Sequence, residues 1–236
     1  MGTEFSRLTE AERCDLDALL EPRGNSWWDN FYADRAKPCP FFVPHPDENL
    51  AEWLDEGRIR RGRAIDIGCG NGRNAIHLAR HGFSVEALDH SKAAIEWTKE
   101  RAAEAHVVLS LIHASVFDVD LGTAKYDLVY DSGCFHHIPP HRRAQYVERA
   151  IAALVPGGWF CMTCFRPEGG SRYSDAEVYE RRSMGGGLGY TEEQLRNFWS
   201  EGLQIRVLRQ MRAQDALNER FGESFLWVLL GQKDGP

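Results

Sequence analysis

Hydrophobic positions along the chain change period several times, and each change marks an element. Trp27, Trp28, Phe31 and Tyr32 recur at helical spacing. Pro38, Pro40 and Pro44 then force an extended path through Phe41 and Phe42. From Pro46 to Gly57, Leu50, Trp53 and Leu54 share one helical face, and the glycine ends the helix. Arg63 to Ile67 reads as a short apolar strand holding one acid, Asp66, followed by an alternating glycine turn (Gly68, Gly70, Gly72) and a helix with Ala75, Ile76, Leu78 and Ala79. The alternation repeats: a strand Phe83–Leu88 ending at Asp89, a helix from Lys92 capped by Ser91, a strand Val107–His113, and a strand from Tyr126 to Asp131. A helix Arg142–Val155 stops at Pro156-Gly157-Gly158, and a strand over 159–165 follows. Beyond a polar, glycine-rich stretch at 166–190, Thr191 and Gln194 make a capping box for one more helix, and two apolar runs, 203–211 and 224–231, read as strands. Strands alternating with helices predict an α/β fold with helices on both faces of a mostly parallel sheet.

Length and composition narrow this further. At 236 residues, 43% hydrophobic and 27% charged, one well-buried domain is expected, spanning 46–236 with a cleft insertion at 166–190. The aromatic segment 6–45 reads as an N-terminal lid, weighed against a helix and strap packed on the domain edge. Residues 1–5 contain GTEF, which two abutting restriction sites would encode, and read as a cloning scar. No apolar run approaches the roughly 20 residues of a membrane span, and no signal pattern opens the chain. Six cysteines without a regular framework fit a reducing compartment, so a cytoplasmic protein without a membrane partner is expected, as monomer or homodimer. Cys161 and Cys164 fall in one strand at odd separation, which points them to opposite faces and argues for core roles over metal or redox chemistry. The net charge of −7 argues against a nucleic-acid partner. The cluster Arg58, Arg60, Arg61 and Arg63 reads as a solvated face.

The glycine turn carries the chemistry. Glycines let a ligand approach bare backbone, and the following helix offers free N–H groups. A dinucleotide fingerprint would need G-x-G-x-x-G, whereas here the third glycine comes one residue early and Arg73 follows it. Asp66, just before the turn, would repel a pyrophosphate and suit a positive amino group. An acid followed by G-x-G-x-G resembles motif I of the class I S-adenosylmethionine (SAM)-dependent methyltransferases. The resemblance implies a Rossmann-like, doubly wound sheet of seven strands with a closing antiparallel strand. It also implies that Asp66, Gly68, Gly70 and Gly72 hold the amino-acid end of SAM and Asp89 the ribose, with Asn74 and His90 as further cofactor-binding residues. Asp89 lies 23 residues after Asp66, a normal strand–helix–strand spacing, and a carboxylate can accept from both ribose hydroxyls. At the adenine position the family's acid is replaced by Ser115; recognition then falls to Asp118, or to Val116 stacking on the ring while a backbone N–H pairs with it. Trp28 offers an aromatic face to the sulfonium.

The segment DSGCFHHIPP resembles motif IV of small-molecule methyltransferases and lacks the N-P-P-Y or D-P-P-Y sequence of enzymes acting on nucleobase or peptide amide nitrogens. With Arg73 and Asn74 after the turn, it suggests the thiopurine, thiol and tellurite-resistance-type branch. Asp131 is expected at the cofactor, Phe135 at the substrate, and His136 or His137 as a general base, with His136 favoured as nearer the substrate. Cys134 reads as a packing residue. Phe41, Phe42, Arg166 and Tyr190 are further substrate candidates, and no residue set suggests a metal. The expected activity is direct in-line methyl transfer to a small-molecule thiol, amine or hydroxyl; a non-catalytic SAM-binding module or partner subunit is the alternative.

Overall fold

The structure, a computed structural model, describes residues 8–20, 24–215 and 218–235; the expected scar at 1–5 lies outside them. Its centre is β1 (Arg63–Ile67), which pairs in parallel with β2 (Ser84–Asp89) on one side and β4 (Tyr126–Ser132) on the other. β3 (Ser110–His113) extends the sheet beyond β2, and β5 (Leu154–Phe165) pairs in parallel with β4. β7 (Leu226–Gln232) runs antiparallel between β5 and β6 (Gln204–Gln210), giving the order β3-β2-β1-β4-β5-β7-β6. The order reverses between β1 and β4, where an open α/β sheet forms its ligand crevice. The register aligns Ile67 with Leu88 and with Asp131, so the glycine turn, Asp89 and Asp131 share one edge.

Period-two alternation divides the interior in two. Ile65, Ile67, Val129 and Phe160 join one core with Tyr146 and Ala150 of α6 (Arg143–Ala153) and Leu195 and Trp199 of α8 (Glu192–Trp199). Ala64, Leu128 and Tyr130 join the other, with Leu50 and Trp53 of α3 (Glu48–Asp55), Leu78 of α4 (Arg73–Arg80) and Ile95 of α5 (Lys92–Glu104). Cys161 and Cys164 fall one in each core, as their odd separation requires.

Among the described residues the N-terminal segment holds α1 (Glu10–Leu20) and α2 (Gly24–Ala33). α2 lies on α5 through Asp29, whose carboxylate accepts from Ser91 Oγ at 2.8 Å and Ala93 N at 3.2 Å. α1 contributes no fully buried side chain and is tied by charge: Asp17 accepts from Arg142 Nε at 2.9 Å and lies 2.9 Å from His141 Nε2, and Glu10 pairs with Arg142 at 2.6 Å.

Three boundaries differ from expectation. The helix expected to reach Val155 ends at Ala153, because Leu154 already pairs with Tyr126; Pro156-Gly157-Gly158 falls at an irregularity inside β5. β3 begins at Ser110 rather than Val107, since its partner β2 offers Glu86 as the first pairing position, and Val108 is left 91% exposed. The stretch 166–190 contains α7 (Asp175–Glu180), opened by a Ser174–Glu177 capping box, and a bridge from Ser171 to Leu188. The Thr191–Gln194 capping box forms as expected. No helix among the described residues is long and apolar enough to cross a membrane.

Candidate active site

The glycine turn is fixed by contacts that tolerate no side chain. Gly72 caps α4 at φ 75°, a left-handed conformation, and a Cβ there would lie 2.6 Å from Thr98 Cγ2. At Gly70 a Cβ would lie 2.7 Å from the Tyr32 hydroxyl, so α2 reaches down onto the turn. Gly70 N donates to Asp89 Oδ2 at 2.9 Å, Thr98 Oγ1 donates to Gly70 O at 2.8 Å, and Arg101 donates to Asn71 O at 2.8 Å. Asp89 also accepts from Ser91 N at 2.8 Å, which leaves lone pairs on both oxygens for a ligand. Burial raises its pKa.

Asp66 is 1% exposed, and neither carboxyl oxygen has a hydrogen-bond partner among the described residues. Burial raises its pKa to about 8, against the pull of Arg73. A buried acid without a partner beside a glycine turn fits a ligand that brings its own positive charge. The residues therefore suit the zwitterionic end of SAM.

Sequence reasoning missed the group that holds this turn in place. Asp47, fully buried, pairs with Arg73 at 2.6 Å, accepts from Asn74 Nδ2 at 3.1 Å and from the Tyr130 hydroxyl at 2.5 Å, while Asp47 N donates to Asn74 Oδ1 at 3.0 Å. Arg73 further donates to His45 O at 3.2 Å and Ser132 Oγ at 3.0 Å and covers the Phe221 ring at 4.3 Å. Asn74, expected at the cofactor, has its amide committed to Asp47 instead. The signal was slight: an acid before a helix, with its Asn74 partner 27 residues away.

After β4 the chain folds around Asp131, which accepts from Cys134 N at 2.7 Å, Phe135 N at 3.0 Å and the Tyr146 hydroxyl. Burial raises Asp131 to about 7. The structure thus spends Asp131 on the loop rather than on a cofactor, and Tyr146 is the missed partner. Phe135, expected at the substrate, is fully buried among Tyr146, Tyr190 and Trp199. His136 is 4% exposed, stacks on Phe165 at 3.7 Å, and accepts from Phe165 N through Nδ1 at 3.2 Å, so its proton sits on Nε2. Burial and then His137 hold its pKa well below the usual histidine range. His137 is half-buried and meets Trp28 edge-on at 4.7 Å, while Trp28 also faces His90 at 6.4 Å. The structure therefore brings Trp28, His90 and His137 together over the sheet edge and turns His136 inward. Burial pushes the Cys134 thiol up, away from the thiolate a nucleophile needs.

The remaining candidates scatter. Ser115 Oγ accepts from Phe117 N at 3.2 Å and Val116 is buried beside it, closing a local turn at the end of β3. Phe41 and Phe42 pack on Phe31 at 5.9 and 5.4 Å, and Phe42 meets Trp97 of α5 at 4.8 Å. Asn71 Nδ2 donates to Phe41 O and Val43 O, each at 3.4 Å, tying this strap to the turn. Arg166 donates to Ser224 O at 2.8 Å over Trp227, and Tyr190 is buried under Arg143 at 5.3 Å; both join elements of the fold.

The family profile described as "Methyltransferase domain" matches residues 64–158, which spans the glycine turn, Asp89, Asp131 and both histidines. The chain is 28% identical over 133 residues to a 2-heptyl-1-hydroxyquinolin-4(1H)-one methyltransferase of Mycobacteroides abscessus, covering 55% of this chain and 57% of that protein. It is 26% identical to a probable thiol methyltransferase of Arabidopsis thaliana, over 59% of this chain and 62% of that one. It spans about half to three-fifths of the length of the first curated relatives it matches. Among solved structures, a Burkholderia thailandensis 1,6-didemethyltoxoflavin-N1-methyltransferase with bound S-adenosylhomocysteine superposes with a TM-score of 0.68 at 19% identity, covering 96% of this chain and 91% of that one. Residues 64–158 thus match a methyltransferase-domain profile, and the strand order and glycine turn around them are similar to those of SAM-dependent methyltransferases.

Proposed function

We propose that the chain transfers the methyl group of SAM to a small-molecule thiol, amine or hydroxyl by direct in-line displacement. The observation that carries the reading is Asp66, a buried acid with no protein partner beside a turn built for close backbone approach. The ammonium of SAM supplies the missing charge, Asp89 accepts from the ribose hydroxyls, and Trp28 faces the sulfonium. The aromatic N-terminal segment acts as a lid: Trp28 spans from His90 to His137, which favours a small acceptor over a macromolecular one. The likeness to a thiol methyltransferase and to a quinolone methyltransferase supports the same size class.

SAM supplies an activated methyl, so the protein's part is to hold the acceptor in line, exclude water and remove a proton where needed. His137 is the residue for that proton. His136 has its acceptor nitrogen occupied by Phe165 N and stays neutral inside the core. A thiol acceptor, with an ordinary pKa near 8.5, needs less help than an alcohol. The protein acts as a cytoplasmic enzyme.

The test is calorimetry with S-adenosylhomocysteine, followed by methyl transfer from labelled SAM to a panel of thiols, heteroaromatic amines and phenols. One-site binding and turnover of at least one class are expected, with His137→Ala lowering turnover of the less acidic acceptors while product affinity holds. Binding without turnover across the panel would favour the non-catalytic module. Absence of binding by folded protein would remove the SAM reading altogether.

A further inference from the structure

Tyr32 stands out among the side chains above the turn. It is 8% exposed, clamped between Trp28 at 6.2 Å and Phe42 at 5.5 Å with both ring pairs nearly parallel. Such a phenol normally finds a hydrogen-bond partner. Its hydroxyl has none among the described residues and keeps some accessible surface, at a point 2.7 Å from where a Cβ on Gly70 would stand. The tip is thus an unused donor aimed at the bare backbone of the glycine turn. Burial, and after it the charge of Asp89, pushes the phenol pKa well up, so the proton stays on oxygen.

The ligand expected there has one group for which the turn offers backbone N–H donors and no free side-chain donor. Its ammonium meets Asp66 and its ribose meets Asp89, both acceptors. Its carboxylate needs a donor, and the guanidinium of Arg73 is already committed to Asp47, His45 O and Ser132. We infer that the Tyr32 hydroxyl donates a hydrogen bond to the carboxylate at the methionine end of the cofactor. Tyr32 belongs to α2, so this contact makes cofactor binding and closure of the N-terminal segment one event. The inference rests on the SAM reading above and adds to it a binding residue from outside the glycine-turn motif.

The experiment compares wild type with Tyr32→Phe against two probes, S-adenosylhomocysteine and 5′-methylthioadenosine, by calorimetry. The second probe keeps the ribose and base and lacks the amino-acid end. Phenylalanine preserves the stack between Trp28 and Phe42, and an unchanged melting temperature without ligand verifies that. Affinity for S-adenosylhomocysteine should fall about tenfold to a hundredfold, the range for a lost hydrogen bond to a charged group, while affinity for 5′-methylthioadenosine is unchanged. Equal losses for both probes would place the hydroxyl at the ribose and overturn the carboxylate assignment. No loss for either, with wild type still binding both, would remove Tyr32 from the site and leave the SAM reading standing. Failure of wild type to bind either probe would instead strike that reading.

Discussion

Asp66 has a different protonation state to satisfy with and without a ligand. In the free protein its pKa is raised from 3.8 to about 8, so near neutral pH the folded chain holds a proton that the unfolded chain releases. That contribution to stability is present in full below about pH 4 and is lost as pH rises through 8. A bound ammonium reverses the preference by favouring the ionised acid. Binding of S-adenosylhomocysteine at pH 7 should therefore release up to one proton from this group, read as a dependence of the binding enthalpy on buffer ionisation enthalpy. Asp66→Asn should abolish that dependence, and a buffer-independent wild-type enthalpy would contradict the role. The acid itself was legible in the sequence because strand, acid and turn are contiguous. What each histidine does was not: His136 and His137 are neighbours, and only the pairing of β4 with β5, 29 residues on, decides which ring Phe165 captures. Asp47 was illegible for the same reason, since Tyr130, one of its partners, lies 83 residues away.

At the scale of elements, helices announced by local chemistry were readable and those placed by distant partners were not. Ser91 accepts from Ala94 N at 3.2 Å at the start of α5, as the sequence suggested. The end of α6 was misread because proline and glycine are strong local stop signals, while the pairing of Leu154 with Tyr126 acts earlier and from farther away. α1 shows how weakly an element can be held. With no fully buried side chain, it is held by the partly buried Leu20 against the core and by Asp17 and Glu10 against His141 and Arg142, and His141 in turn lies 2.9 Å from the Tyr179 hydroxyl beyond the end of β5. Asp17→Asn should speed amide exchange across residues 10–20 by roughly tenfold or more, as expected for loss of a charged hydrogen bond, with α5 unaffected. High salt should move wild type in the same direction, because these pairs sit partly in solvent. An unchanged exchange rate would show that α1 is anchored by something other than charge.

For the molecule as a whole, two cores share one sheet, and each has its own large anchors. Trp199 is fully buried and stacks on Phe160 of β5 at 4.0 Å, joining α8 to the strand that pairs with β4, whose end carries the motif IV segment. Trp199→Ala should cost about 3–5 kcal/mol in urea unfolding, the usual range for emptying such a site. A loss under 1 kcal/mol would mean that the α8 side of the core is loosely packed. The fold class was readable from the alternation of periods along the chain, whereas the position of β7 was not, because nothing local in residues 224–231 says which strands will flank it.

That position governs how the protein comes into being. Among the described residues β6 pairs with β7 alone, and Phe221, which lies under Arg73 and whose carbonyl accepts from Glu48 N at 2.8 Å, stands in the segment between β6 and β7. The glycine turn is therefore braced from both sides of the sequence, by Asp47 before it and by Phe221 far beyond it, so its cradle is complete only once the C-terminal strand pair has closed onto the sheet.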